Sequence, residues 1–169
     1  ILRALEEHDI DAFMALRTDT EVMKTTAITP YKSTDYKKAD RFIRQAMNKF
    51  QRGSFICWGI AHKDTDEILG IIMNESIDKY SRRVEIGYFS AQSVWGNGYM
   101  TESLGAVVVH NFEQLGMIRQ QAWVFPENKA SARVLIKNGF VHEGRLRRYV
   151  KHPDGTNRDV EMYGCIADG

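Results

Sequence analysis

The sequence predicts a mixed α/β fold, one sheet carrying helices on its faces, and three observations predict it. Apolar residues switch repeatedly between alternating and helical spacing. Hairpin-like strand pairs occur early and again at the end. Between them the chain runs strand, helix, strand, helix, strand.

Leu2 to Leu5 reads as a short strand, after which His8-Asp9 opens a helix with Ile10, Phe13, Met14 and Leu16 on one face. A longer amphipathic helix is expected from Ser33, its N-cap, with Tyr36, Ala39, Phe42, Ile43, Ala46, Met47 and Phe50 at helical spacing and Gly53 as its stop. Ser54 to His62 and Glu67 to Asp78 form a hairpin around Lys63-Asp64-Thr65-Asp66, residues suited to a tight turn. A third strand covers Arg82 to Ser90. A glycine loop follows, then a helix from Gly98 to Leu115 ended by Gly116. Ile118 to Val124 is a strand, Asn128 to Asn138 a helix ended by Gly139, and Phe140 to His152 a strand. Pro153-Asp154-Gly155 turns the chain into a last strand, Thr156 to Ile166.

At 169 residues, 43% hydrophobic, the chain can bury one substantial core, so residues 1–169 are expected to form a single domain. Lys and Arg number 23 against 22 Asp and Glu, a formal net charge of +1, which predicts neither nucleic-acid nor membrane partners. Cys57 and Cys165 are far apart in apolar strands and read as two packed, reduced thiols. The start Ile1-Leu2-Arg3-Ala4-Leu5 lacks the charged-then-apolar order of a signal peptide, and no apolar run reaches membrane-spanning length; a cytoplasmic setting is expected. His8, His62, His110, His142 and His152 show no metal-ligand spacing, so no metal is expected, and Trp58 and Trp123 read as core residues.

The strand Val84-Glu85-Ile86-Gly87-Tyr88-Phe89 leads into Gly96-Asn97-Gly98 and directly into a helix. First-turn helical amides have no intrahelical partner, and where no Cβ blocks the approach a phosphate can reach them along the positive end of the helix dipole. Each such charge-assisted bond contributes roughly 1.5–3 kcal/mol. Taken alone, a ligand-free tight turn and an anion site account for this loop equally well. Neither the Gly-Lys-Ser/Thr ending of a triphosphate loop nor the third glycine of the dinucleotide fingerprint is present.

In order along the chain stand Glu85-Ile86-Gly87-Tyr88, Trp95-Gly96-Asn97-Gly98-Tyr99-Met100-Thr101-Glu102, Asn128-Lys129-Ala130-Ser131, Asn138-Gly139-Phe140, Glu143-Gly144 and Arg145-Leu146-Arg147. Together they resemble the GNAT N-acetyltransferases, and within them the ribosomal-protein alanine N-acetyltransferase branch, whose opening strand Leu2-Arg3 also matches. The resemblance implies a mixed, mostly antiparallel, twisted sheet of about seven strands with one splayed parallel pair. It implies acetyl-CoA as co-substrate and a primary amine, foremost a protein N-terminal α-amine, as acceptor. Small amines such as a polyamine, an amino acid or an antibiotic are the alternative, as is a non-catalytic acyl-CoA-binding module. The acting form is a monomer or a homodimer.

Carried onto this chain, the resemblance places the pantetheine arm along Tyr88, Phe89 and Ser90 and the pyrophosphate at Trp95, Gly96, Asn97, Gly98, Tyr99 and Met100. Trp95 replaces the usual Arg or Gln and fits the alanine branch. Met100 replaces the usual Gly or Ala and is expected to turn away. Asn128 matches a cofactor-contacting residue, and Ser131, one turn on, reaches the sulfur on the same face. On the residues alone an N-cap at Asn128 and an exposed helical Ser131 are the favoured reading; the resemblance favours a site. Leu135 occupies the position where many relatives carry a tyrosine acid, excluding that mechanism here.

Acetyl transfer needs a neutral amine, a polarised carbonyl and a protonated leaving thiolate. An α-amine of pKa about 7.8 is roughly 10–15% neutral at pH 7, far more than a lysine at about 10.4. Glu85, expected on the same strand face as Gly87 and Phe89, is the candidate base; a surface pairing with Arg82 or Arg83 is its alternative. A backbone N–H near Phe89 would polarise the carbonyl. Arg145, Arg147 and Arg148 around Leu146 read as a solvated face, with an acceptor groove as the other possibility.

Overall fold

A computed structural model describes residues 1–52 and 55–167. Gly53 and Ser54, where a helix stop and a strand start were expected, lie outside the described residues. The strands are β1 (Leu2–Ala4), β2 (Ile56–Ala61), β3 (Ile68–Asp78), β4 (Arg83–Ser90), β5 (Arg119–Val124), β6 (Val141–Lys151) and β7 (Asn157–Ile166). The helices are α1 (Ile10–Thr18), α2 (Thr20–Met23), α3 (Tyr36–Arg52), α4 (Tyr99–Glu113) and α5 (Lys129–Lys137).

The strands form one seven-stranded sheet in the order β1-β2-β3-β4-β5-β7-β6. Every neighbouring pair is antiparallel except β4–β5, the mixed and mostly antiparallel sheet expected of the sequence. Alternation along the strands divides the core in two. Ile71 and Met73 face Phe13, Met14 and Ile43 from α1 and α3, whereas Ile72 and Ile86 face Leu104, Val107 and Leu135 from α4 and α5. Between the sheet and α4, fully buried Asn74, Asn111 and Gln120 satisfy one another: Asn74 Nδ2 donates to Asn111 Oδ1 (2.7 Å), and Asn111 Nδ2 to Gln120 Oε1 (2.8 Å).

Two local expectations differ from the structure, and one short helix adds to them. Ser33 does not cap α3; Ser33 to Asp35 form a turn, and the Asp35 carbonyl accepts from Lys38 and Ala39, so the helix begins at Tyr36. The short helix α2, too brief to show a period, is set by Asp19, whose side chain accepts from the Glu21 and Val22 amides. Trp58 is buried as expected, but Trp123 is only half-buried, because β5 turns that side toward an open cleft. Among the described residues no helix is long and apolar enough to cross a membrane.

Candidate active site

The site begins where the sheet divides. Parallel pairing between β4 and β5 holds only at Arg83↔Arg119, Val84↔Gln120 and Glu85↔Gln121, after which the strands part. At that level β3 carries a bulge: Asn74 pairs with Ile86 and Ser76 with Glu85, leaving Glu75 as the extra residue. A bulge bends its strand and increases local twist, which suits a sheet that must open on its next neighbour. Between the parted strands lies a cleft of about 520 Å³.

Register decides which backbone groups of β4 face that cleft. The Ala91 amide bonds the Leu69 carbonyl (2.8 Å), so by antiparallel alternation Ile71–Phe89 and Met73–Gly87 are the hydrogen-bonded pairs. The amide of Phe89 is thereby committed to β3, and the backbone groups of Tyr88 and Ser90 turn toward the cleft. One of these, the Ser90 carbonyl, accepts from the Trp95 indole (3.0 Å), which lays Trp95 along the loop.

At the loop end, Gly96 and Gly98 both have positive φ, 78° and 85°, and an added Cβ at either would meet nothing within 4 Å. Gly98 is the N-cap of α4 and makes no side-chain cap bond, so the first-turn amides of this 15-residue helix point into open space. Met100 packs against the α4–α5 core while lining the cleft, so it does not obstruct these amides. Across the cleft, α5 contributes Arg133 and Lys137, four residues apart and on one face.

On the same side, Asn128 caps α5, its Oδ1 accepting from the Ser131 amide (3.1 Å), and it also lines the cleft. The N-cap reading therefore holds for it. Ser131 is not a bystander: its Oγ lies 2.9 Å from the Tyr88 hydroxyl, bridging α5 and β4. Burial pushes the Tyr88 phenol well above its ordinary pKa, against a smaller lowering by Ser131, so the hydroxyl stays protonated. Leu135 is fully buried behind them.

The opposite face of the sheet carries the carboxylates. Glu85 does point to the side of Gly87 and Phe89, but neither Arg82 nor Arg83 meets it. Its two oxygens accept from Gln121 Nε2 (2.9 Å) and Trp123 Nε1 (3.1 Å) on β5. Glu75 lies beside it and lines the cleft, over Gly87, where a Cβ would collide with Glu75 Oε1. Water reaches Glu75 through the open cleft, while the protein around it, and secondarily the Glu85 charge, push its pKa up to about 6.

The wall facing these carboxylates is the segment Thr25 to Ile28. Arg17, 5% exposed, anchors it by donating to the Thr29 carbonyl (2.9 Å) and by lying 3.9 Å over the Tyr31 ring. Gln92, after β4, donates to both oxygens of Asp19, tying the N-cap of α2 to the loop (3.0 and 2.8 Å). Arg145, Arg147 and Arg148 lie away from the cleft on exposed β6. Among the described residues no group of three His, Cys, Asp or Glu could hold a metal ion.

The structure thus gathers Tyr88, Phe89, Ser90, Trp95, Gly96, Gly98, Tyr99, Met100, Asn128 and Ser131 around one cleft, with Glu85 just behind its wall. Glu75, Arg133, Lys137 and the Thr25 to Ile28 wall were not read from the sequence. The spacing of Arg133 and Lys137 on a helix that starts at Asn128 was the available signal. For Glu75 the signal was alternation with Ile71 and Met73, but which of that face reaches a cleft depends on where β4 and β5 part.

Comparison with known proteins accords with this geometry. Residues 1–141 match the family described as Acetyltransferase (GNAT) domain. The uncharacterized N-acetyltransferase YoaA of Bacillus subtilis (strain 168) is 34% identical over 166 residues, 98% of this chain and 92% of that protein. The ribosomal-protein-serine acetyltransferase of Escherichia coli (strain K12) is 32% identical over 106 residues, 61% of this chain and 57% of its own. The ribosomal-protein-S5-alanine acetyltransferase of Vibrio fischeri shares the fold, with a TM-score of 0.87 at 20% identity over 99% of this chain and 92% of that one. With the divided sheet, the open glycine loop at a helix N-terminus and a family match over most of its length, the chain belongs to the GNAT family as an acetyl-CoA-dependent N-acetyltransferase.

Proposed function

We propose that the protein transfers the acetyl group of acetyl-CoA to the α-amine of a protein N-terminus. The observation that carries this reading is the pairing of an open cleft with a carboxylate whose pKa is pushed up to about 6. Taking a proton from an α-ammonium of pKa about 7.8 is uphill by roughly two units, whereas a lysine at about 10.4 demands more than four. Such a carboxylate suits the α-amine. The likeness to the Escherichia coli ribosomal-protein-serine acetyltransferase points the same way.

In this reading the pyrophosphate rests on the amides at Gly96 to Met100, with Arg133 and Lys137 adding charge from α5. The pantetheine arm runs along the β4 backbone at Tyr88 and Ser90, and Asn128 contacts it from α5. The inward amides of β4 polarise the thioester carbonyl. Ser131 and Tyr88 meet the sulfur, and a carboxylate of the Glu75–Glu85 pair takes the amine proton on the far face. The acceptor chain enters beside the Thr25 to Ile28 wall.

Free-thiol release measured with short peptides beginning in Ala or Ser, with the same peptides N-terminally blocked but carrying lysine, and with spermidine tests the reading. Turnover confined to the free N-termini supports it; preference for spermidine or lysine overturns the α-amine assignment. Acetyl-CoA binding without turnover on any acceptor would make the protein a binding module.

A further inference from the structure

We propose that Glu75, not Glu85, is the residue that accepts the amine proton, and that Glu85 is a fixed carboxylate behind the cleft wall whose charge tunes its neighbour. The proposal rests on the acetyl-transfer reading above but not on which amine is the acceptor.

Four observations assign the roles. Glu85 has both oxygens occupied, by Gln121 Nε2 and Trp123 Nε1, each delivered from β5 at the last level of parallel pairing. An acceptor so held is short of free lone pairs on which to take a substrate proton. Among the described residues none donates a hydrogen bond to Glu75, and it lines the cleft that Glu85 does not reach. Glu75, the residue left without a partner at the β3 bulge, lies on the sheet face it shares with Met73 and Gly87, and Gly87 clears the space its carboxylate occupies. Its surroundings favour the protonated form, as a base poised near neutrality requires.

Around Glu75 the titratable neighbours are Glu85 from β4 and Cys57 from β2, the latter a buried thiol that stays neutral. The Thr25 to Ile28 wall and the β5 residues Gln121 and Trp123 bring no titratable group. The two carboxylates therefore differ in their surroundings: one is held by two hydrogen bonds from β5, and the other is open to the cleft and to proton exchange.

The reaction then balances. The ammonium gives one proton to Glu75, and the freed lone pair forms the C–N bond at the thioester carbonyl. As the tetrahedral adduct collapses, the C–S bond breaks with its electron pair on sulfur. The thiolate takes a proton from the Tyr88–Ser131 hydroxyl pair, which is restored by the second proton lost from nitrogen. Glu75 returns its proton to water through the open cleft, so one proton is released per turnover.

The test compares pH–rate profiles of the wild type, Glu75→Gln and Glu85→Gln, on whichever of an Ala-peptide, a lysine peptide or spermidine turns over best. Acetyl-CoA binding by calorimetry serves as the control for folding. Glu75→Gln is expected to bind acetyl-CoA normally, to lose about 100-fold or more in kcat/KM and to lose the acid limb of the profile. Glu85→Gln is expected to keep that limb and move it to lower pH, because removing a neighbouring negative charge makes Glu75 easier to ionise. A limb that persists in Glu75→Gln and vanishes in Glu85→Gln overturns the assignment. Should Glu75→Gln fail to bind acetyl-CoA, carbon-detected NMR titration of the wild-type Glu75 carboxyl decides. A midpoint near 6 that falls in Glu85→Gln supports the role, and an ordinary midpoint near 4.3 overturns it. Absence of thiol release by the wild type on every probe overturns the acetyl-transfer reading itself, and this assignment with it.

Discussion

The Tyr88 hydroxyl stands 2.9 Å from Ser131 Oγ, joining β4 to α5 across the gap where the sheet has parted. The contact supplies hydroxyl donors in a chain whose Leu135 cannot provide one. Burial keeps the phenol protonated through neutral pH, so it can donate, and Ser131 lines the cleft beside it. If the two act as one relay, Tyr88→Phe and Ser131→Ala should each lower kcat by about 10-fold or more with little change in acetyl-CoA affinity. The double variant should lose scarcely more than either single one, since residues acting as a unit are non-additive. Losses that multiply would separate their roles.

Gly98 sits at φ 85°, with open space where a side chain would go. Gly98→Ala thus meets no protein clash, but an L-residue in this region costs about 1–2 kcal/mol, and its methyl would intrude on whatever the amides bind. Thermal melting is expected to fall by several degrees, and calorimetry should show acetyl-CoA binding weakened beyond what that strain explains. Unchanged affinity would mean that the loop is a turn and nothing more.

Much of this arrangement was legible in the sequence, because most of the signals are local. Gly96 and Gly98 before a helical period, Asn128 at a helix start and the alternation of β4 follow from short-range chemistry. What could not be read depends on distant strands meeting. Trp123 looked like core and instead donates to Glu85 from a neighbouring strand. Phe89 looked like the source of the polarising amide, yet its register with Ile71 commits that amide to β3. Glu75 alternates with Ile71 and Met73, but its place at a cleft depends on where β4 and β5 part. The start of α3 was misplaced by a few residues because Ser33 and Asp35 are both good caps, and the Asp35 carbonyl takes the bonds.

The buried Asn74–Asn111–Gln120 chain makes a separate demand, on stability alone. Asn111→Ala deletes the middle member and strands Asn74 Nδ2 and Gln120 Oε1 in a site that is fully buried. Each unsatisfied group costs about 1–3 kcal/mol, so urea unfolding should show a loss of about 2–4 kcal/mol once the two relax toward each other. A loss below 1 kcal/mol would mean that water enters and replaces the amide.

Stability against pH should carry opposite signatures from two carboxylates. Asp9 is pushed up by burial but pulled further down by hydrogen bonds from Arg3 (both 2.8 Å) and the Glu6 amide, leaving its pKa below the ordinary value. Its folded pKa is depressed, so the stability it contributes is present above about pH 3.9 and is lost as pH falls through the folded value. Glu75 runs the other way. Its folded pKa, about 6, exceeds the unfolded value of about 4.3, so the folded state is favoured by its protonation and loses stability as pH rises between those values. Glu75→Gln should therefore melt higher than the wild type at pH 7.5, with the difference vanishing by pH 4. Asp9→Asn should melt lower at pH 7.5, because the Arg3 guanidinium loses its two-pronged partner. Paired melts of the wild type and both variants at the two pH values check this. A Glu75→Gln protein no more stable than the wild type at pH 7.5 would show that the cleft imposes no cost on that carboxylate, and so leaves it with the pKa of an ordinary surface glutamate.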